Sequence, residues 1–149
     1  MPVEENVELM HRWFNEVWND GKMETVHELF PPDGHAIGHY GERSEIHGPN
    51  DFIPFVKRIR GAFPDVKVTI DDAFGAGDKV VLRWSAAMTH TGEGFGPPSN
   101  KPVRVTGMTI VRIAEGKIVQ GWDNWDQLGM LSQIGLYERP EAPVLPKTA

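Results

Sequence analysis

No cysteine occurs among the 149 residues, which excludes disulfides and thiolate metal ligands alike. No apolar run in the chain approaches the roughly 20 residues that a membrane-spanning helix needs. A basic excess is missing too: 15 Lys and Arg stand against 21 Asp and Glu, for a net charge of -6. Phosphate backbones select a basic face, so nucleic acid is not expected as a partner. The first residues lack a basic segment followed by an apolar one, so no signal peptide is expected. The composition predicts a soluble, cytoplasmic protein without membrane association. What the chain does have is the material of one core, with 40% hydrophobic and 9% aromatic residues in a length typical of a single domain.

The apolar pattern changes period midway. Val3, Val7, Met10, Phe14 and Val17 recur at helical spacing, and Asn19, Asp20 and Gly21 end that helix. Met23, Val26, Leu29 and Phe30 predict a short second helix, stopped by Pro31 and Pro32. Asn50 or Asp51 is positioned to cap a third, with Phe52, Phe55, Val56, Ile59 and Phe63 as its buried stripe. Beyond Phe63 the alternation is that of strands: Val66 to Asp71, Lys79 to His90, Val103 to Ile113 and Lys117 to Trp125. Turns at Gly75–Asp78 and Glu115–Gly116 join hairpins, and Thr91 to Pro102 reads as a Gly- and Pro-rich loop. Gln127 to Ile134 predicts a closing helix with Gly135 behind it. Residues 1–137 are expected to form one domain, and 138–149 an extended or disordered tail.

Helices first and hairpin-linked strands after predict an α+β fold, a cone-shaped curved antiparallel sheet packed with N-terminal helices. Its open end is suited to a small molecule. The alternating sheet face and the tryptophans lying off the helix stripe, Trp13 and Trp18, predict a homodimer or higher oligomer.

Ala62-Phe63-Pro64-Asp65, Gly77-Asp78-Lys79-Val80-Val81 and Thr89-His90-Thr91-Gly92 follow one another in a distinctive order. Ile110-Val111-Arg112, Gly116-Lys117-Ile118-Val119, Trp122 with Asp126, and Gln133-Ile134-Gly135 continue it. In these residues the chain resembles the SnoaL-like polyketide cyclases of the NTF2-like superfamily, over Val7 to Gly135. The resemblance implies a cystatin-like α+β barrel that commonly associates and needs no metal or cofactor. It implies, as an activity to be tested, ring closure of a polyketide by intramolecular aldol condensation with a carboxylate as acid/base. It also implies Arg112 as a structural residue, paired with a carboxylate near the sheet.

Several residues are candidates for a site. Alternate strand residues share a face, so Trp122, Asn124 and Asp126 point together. If that face lines a cavity, Asp126 has the apolar surroundings that suit a carboxyl to deprotonating carbon next to a carbonyl. Asp126 also directly precedes the closing helix, where it would serve as the N-cap. Asp123, on the opposite face with Trp125, is the alternative acid. His90, where a strand meets a loop, is placed to donate a hydrogen bond to a developing enolate. Trp84, Met88 and His39 are expected to line the ligand site. His35 and His39 raise a metal reading, but no third ligand is legible and no metal is expected. Two further readings compete: an epoxide hydrolase-like hydration with an Asp–Arg–Asp set using Arg83 or Arg112, and a binding module without catalysis.

Overall fold

The change of period at Phe63 is where the chain passes from helices into a sheet. A computed structural model describes residues 2–39 and 44–138. Helix α1 (Val3–Trp13) runs into a π-helical segment, Phe14–Asn19, and a short α2 (Met23–Leu29) follows. Strands β1 (His35–Ile37) and β2 (Glu45–His47) precede α3 (Gly48–Ala62). The long strands are β3 (Lys67–Ala76), β4 (Lys79–Thr89), β5 (Pro102–Ala114) and β6 (Lys117–Trp125), and α4 (Gln127–Gln133) closes the described chain. No helix of the described residues is long and apolar enough to cross a membrane. The tail expected at 138–149 lies, beyond Glu138, outside the described residues.

One curved, unclosed sheet of six strands carries the fold, in the order β2-β1-β6-β5-β4-β3. The long strands pair antiparallel, as their short turns dictate. The expected all-antiparallel sheet needs one correction: β1 pairs with β6 in parallel, Ile37 beside Trp122. Strand β2, helix α3 and strands β3 to β5 intervene between them, more than the long crossover a parallel pair requires. Helix α3 also starts earlier than expected, at Gly48, and Asp51 reaches back to accept from the His47 backbone N–H at 2.8 Å.

The π-helical segment carries core residues onward from α1. A π turn takes an extra residue, which rotates the side chains that follow. Trp13, Phe14 and Val17 are all buried around this junction, although Trp13 lies off the regular stripe. Arg60 of α3 secures this segment, with Nη1 2.5 Å from Trp18 O and 3.1 Å from Asn19 O. Asn19 in turn hydrogen-bonds both backbone groups of Val68, completing the edge of β3. On the outer helical surface Arg12 bridges Glu16 and Glu28 and holds both carboxyls below the usual range.

A bulge in β6 is the other decisive local feature. Arg112 of β5 pairs with Gln120 but Ile113 pairs with Ile118, so Val119 is the extra residue. Ile118 faces inward before the bulge, and Gly121, Asp123 and Trp125 face inward after it. The phase of the strand is therefore reversed at Val119.

Candidate functional site

Between the helices and the inner face of the sheet lies a cavity of about 90 Å³. A water occupies about 10–15 Å³ on the same measure, so several waters or a ring-sized ligand would fit. Eight aromatic side chains contribute to its wall: Trp13 from α1, Phe14 and Trp18 from the π-helical segment, Phe30 after α2, Phe52 and Phe55 from α3, and Trp84 and Trp125 from the sheet. Among the described residues, His39 and Asp123 are the only titratable side chains lining it, and Thr109 adds a hydroxyl.

These three groups meet. His39 Nε2 lies 2.5 Å from Asp123 Oδ2, with side chains only 10% and 11% exposed. The Thr109 hydroxyl donates to Asp123 Oδ1, and the Trp84 indole N–H donates to Thr109 Oγ1 at 3.0 Å. The His39 ring stands edge-on to Phe52 and Phe55, at 5.3 and 5.1 Å between centroids. Among the described residues its Nδ1 has no hydrogen-bond partner. A buried polar group is costly unless hydrogen-bonded, and both carboxyl oxygens of Asp123 have a partner here, Thr109 and His39.

Backbone features place each member. The β6 bulge turns Asp123 inward. Gly38, at φ +101°, brings the chain so close to β6 that an added Cβ would sit 1.9 Å from Asp123 O. That approach delivers His39 to the carboxylate. The His39 carbonyl accepts from Trp125 Nε1 at 2.9 Å and from Gln127 Nε2 at 3.1 Å, which anchors the histidine from the other side.

The structure divides the expected site residues. His39, Trp84 and Met88 line the cavity. Trp122, Asn124 and Asp126 do not; they border a shallow depression on the outer face with Arg83, Met108 and Ile110. The expected facing of these three is corrected, and the reason is the Val119 bulge, which reverses the alternation. Asp126 Oδ1 accepts from Gly129 N at 2.9 Å, the N-cap of α4. His90 is also away from the cavity. Its Nδ1 is 3.0 Å from Ser99 Oγ and its Nε2 2.7 Å from Gly94 O, with the ring packed on Phe63. It fastens the loop over the end of the sheet rather than facing a ligand. His35 contacts Gln120 and stacks with His47, and among the described residues no three potential ligands gather around a metal position. Arg83 and Arg112 face acidic groups outside the cavity, at 3.9 Å from Asp71 and Asp78.

Capping makes a direct prediction. Asp126→Ala is expected to cost about 1 kcal/mol, and Asp126→Asn only a few tenths, because Asn caps nearly as well. Thermal melting of the two variants reads the difference. A large loss with Asn would show that Asp126 holds more than the helix end.

Comparison with known proteins agrees with this architecture. The family model for SnoaL-like polyketide cyclase matches residues 8–134. No match is found among curated proteins. A candidate SnoaL-like polyketide cyclase of Jannaschia sp. CCS1 is 26% identical, with a TM-score of 0.81 over 91% of this chain and 95% of that one. IdmH of Streptomyces antibioticus, a candidate polyketide cyclase, is 28% identical, with a TM-score of 0.72 over 87% and 98% of the two chains. A protein of Catenulispora acidiphila with a ketosteroid isomerase-like fold is 24% identical, with a TM-score of 0.72 over 87% and 94%, and shows the fold alone. Most of the chain being matched by the family model, this protein belongs to the SnoaL-like polyketide cyclase family.

Proposed function

We propose that the cavity binds a small, largely apolar carbonyl compound and removes a proton from the carbon next to the carbonyl. The observation that carries this reading is the Asp123–His39 pair, buried at the wall of an otherwise aromatic cavity. The C–H proton passes to the pair and leaves an enolate. In a cyclisation the enolate carbon attacks a second carbonyl of the same molecule, and the alkoxide takes the proton back. In an isomerisation the proton returns to a different carbon. Neither route needs a cofactor. Aromatic walls bind a flat apolar body and exclude water, which strengthens the electrostatics of the one polar end.

Benzoylacetone, an aromatic β-dicarbonyl compound, is a suitable probe. In D2O the protein is expected to speed loss of its methylene proton signal above the buffer background. Binding without enzyme-dependent exchange would favour a binding module, and absence of both would overturn the reading. The epoxide hydrolase-like alternative lacks its arginine, since among the described residues none lines the cavity.

Self-association belongs to the same proposal. Strand pairing sets Ile37, Trp122, Ile110, Val81 and Phe74 in one lateral row across five strands of the outer face. Phe74 is 57% exposed and nearby Met108 52%. Such a patch suits a second copy of the chain meeting it face to face. Sedimentation at micromolar concentration is expected to find a dimer, converted to monomer by Ile110→Lys. A wild-type monomer would overturn this.

A further inference from the structure

A run of hydrogen bonds restricts where the cavity's proton can sit. Trp84 and Gly107 are cross-strand partners on β4 and β5. A Cβ at Gly107 would lie 2.2 Å from Trp84 Cζ2, so the indole rests on bare backbone. From there its Nε1 reaches Thr109 Oγ1, two residues further along β5, at 3.0 Å. An indole N–H only donates, so the Thr109 oxygen must accept from it. A hydroxyl has one proton, and that proton is turned onto Asp123 Oδ1. A carboxyl oxygen already accepting from a hydroxyl is the poorer place for a second proton. The other oxygen, Oδ2, faces His39 Nε2 at 2.5 Å.

We propose that Trp84 and Thr109 are positioning residues that keep Asp123 Oδ1 free of a proton, so that the proton gained from a ligand is held between Oδ2 and His39. Gly107 belongs to the device because it leaves room for the indole. This inference rests on the proposed role of the Asp123–His39 pair. It adds to that role a direction: the transferred proton has one seat rather than two.

The test uses Thr109→Val, which keeps the shape of the side chain and removes the hydroxyl, and Thr109→Ser, which restores the hydroxyl. With histidine labelled by ¹⁵N, Thr109→Val is expected to shift the His39 ring resonances, because Oδ1 then competes for the proton. Thr109→Ser keeps them near wild type. Trp84→Phe shifts them in the same sense as Thr109→Val but less, since the hydroxyl remains without a fixed direction. Benzoylacetone exchange is expected to slow by about 10- to 100-fold in Thr109→Val, the worth of a hydrogen bond to a charged group, with affinity unchanged and the rate rescued by serine. His39 resonances that stay at their wild-type positions in folded Thr109→Val would overturn the proposal. So would equal loss of exchange in the valine and serine variants. If wild type catalyses no exchange, the enolate reading falls, and the resonances still decide the proton's seat.

Discussion

Asp123→Asn is expected to lower enzyme-dependent exchange of benzoylacetone by about 10²- to 10⁴-fold, or about 3–5 kcal/mol of barrier. The substitution is nearly isosteric. Its carbonyl oxygen can still accept from Thr109, and its amide can donate to His39 Nε2 if the imidazole proton moves to Nδ1, which has no other partner among the described residues. The fold therefore keeps its hydrogen bonds while the carboxylate is gone, and melting is expected to change little. Asp126→Asn is the matched control, changing an aspartate three positions away that caps α4. Exchange lost with Asp126→Asn and kept with Asp123→Asn would move the proton-transfer role to the outer face and sink the assignment.

Gly38→Ala is the second large effect, and it acts through backbone. At φ +101° an L-residue is strained, and the new Cβ would fall 1.9 Å from Asp123 O, a main-chain atom that cannot swing aside. A loss of about 3 kcal/mol or more is expected, enough to lower the melting temperature by roughly 10 °C. Gly77→Ala separates strain from contact, because Gly77 sits at φ +60° with nothing within 4 Å of its Cβ position. That variant should lose only about 1 kcal/mol. Similar melting for the two variants would mean that β1 does not depend on its close approach to β6. Where Gly38→Ala still folds, β1 must retreat from β6 and His39 parts from Asp123, so exchange should fall as well.

The fold was legible because its signals are local and redundant. Alternation in β4 and β5 is regular, and the turn at Gly77–Asp78 is chemically explicit. Inward-facing Trp84, Ala86 and Met88 follow from that alternation alone. Short β1 was harder: three residues of strand next to a glycine carry little periodic signal, and their parallel partner lies far along the chain. The site was legible in content but not in phase. Asp123 and Asp126 were both visible as candidates. Choosing between them needed the bulge at Val119, and a bulge of this kind leaves no compositional mark when its residue is an ordinary valine. His90 misled for another reason. It continues the inward phase of β4, but the 91–100 loop folds over it and takes both ring nitrogens. Thr109 stayed unseen because β5 holds two threonines, Thr106 and Thr109, and nothing in their spacing marks either for a site.

The bulge also gives β6 a property best described as parity. Side chains on a strand alternate, so each residue is odd or even with respect to the wall it faces. Val119 resets that count once, and everything from Gly121 to Trp125 inherits the new value. Loss or gain of a single residue in this stretch would exchange the two surfaces wholesale, turning Trp122 and Asn124 inward and Asp123 outward. A paired change would leave them as they are. Sequence length in β6 is thus under tighter constraint than residue identity at most of its positions. An alignment with a relative that slips by one residue here would match cavity residues of one protein with outer-surface residues of the other.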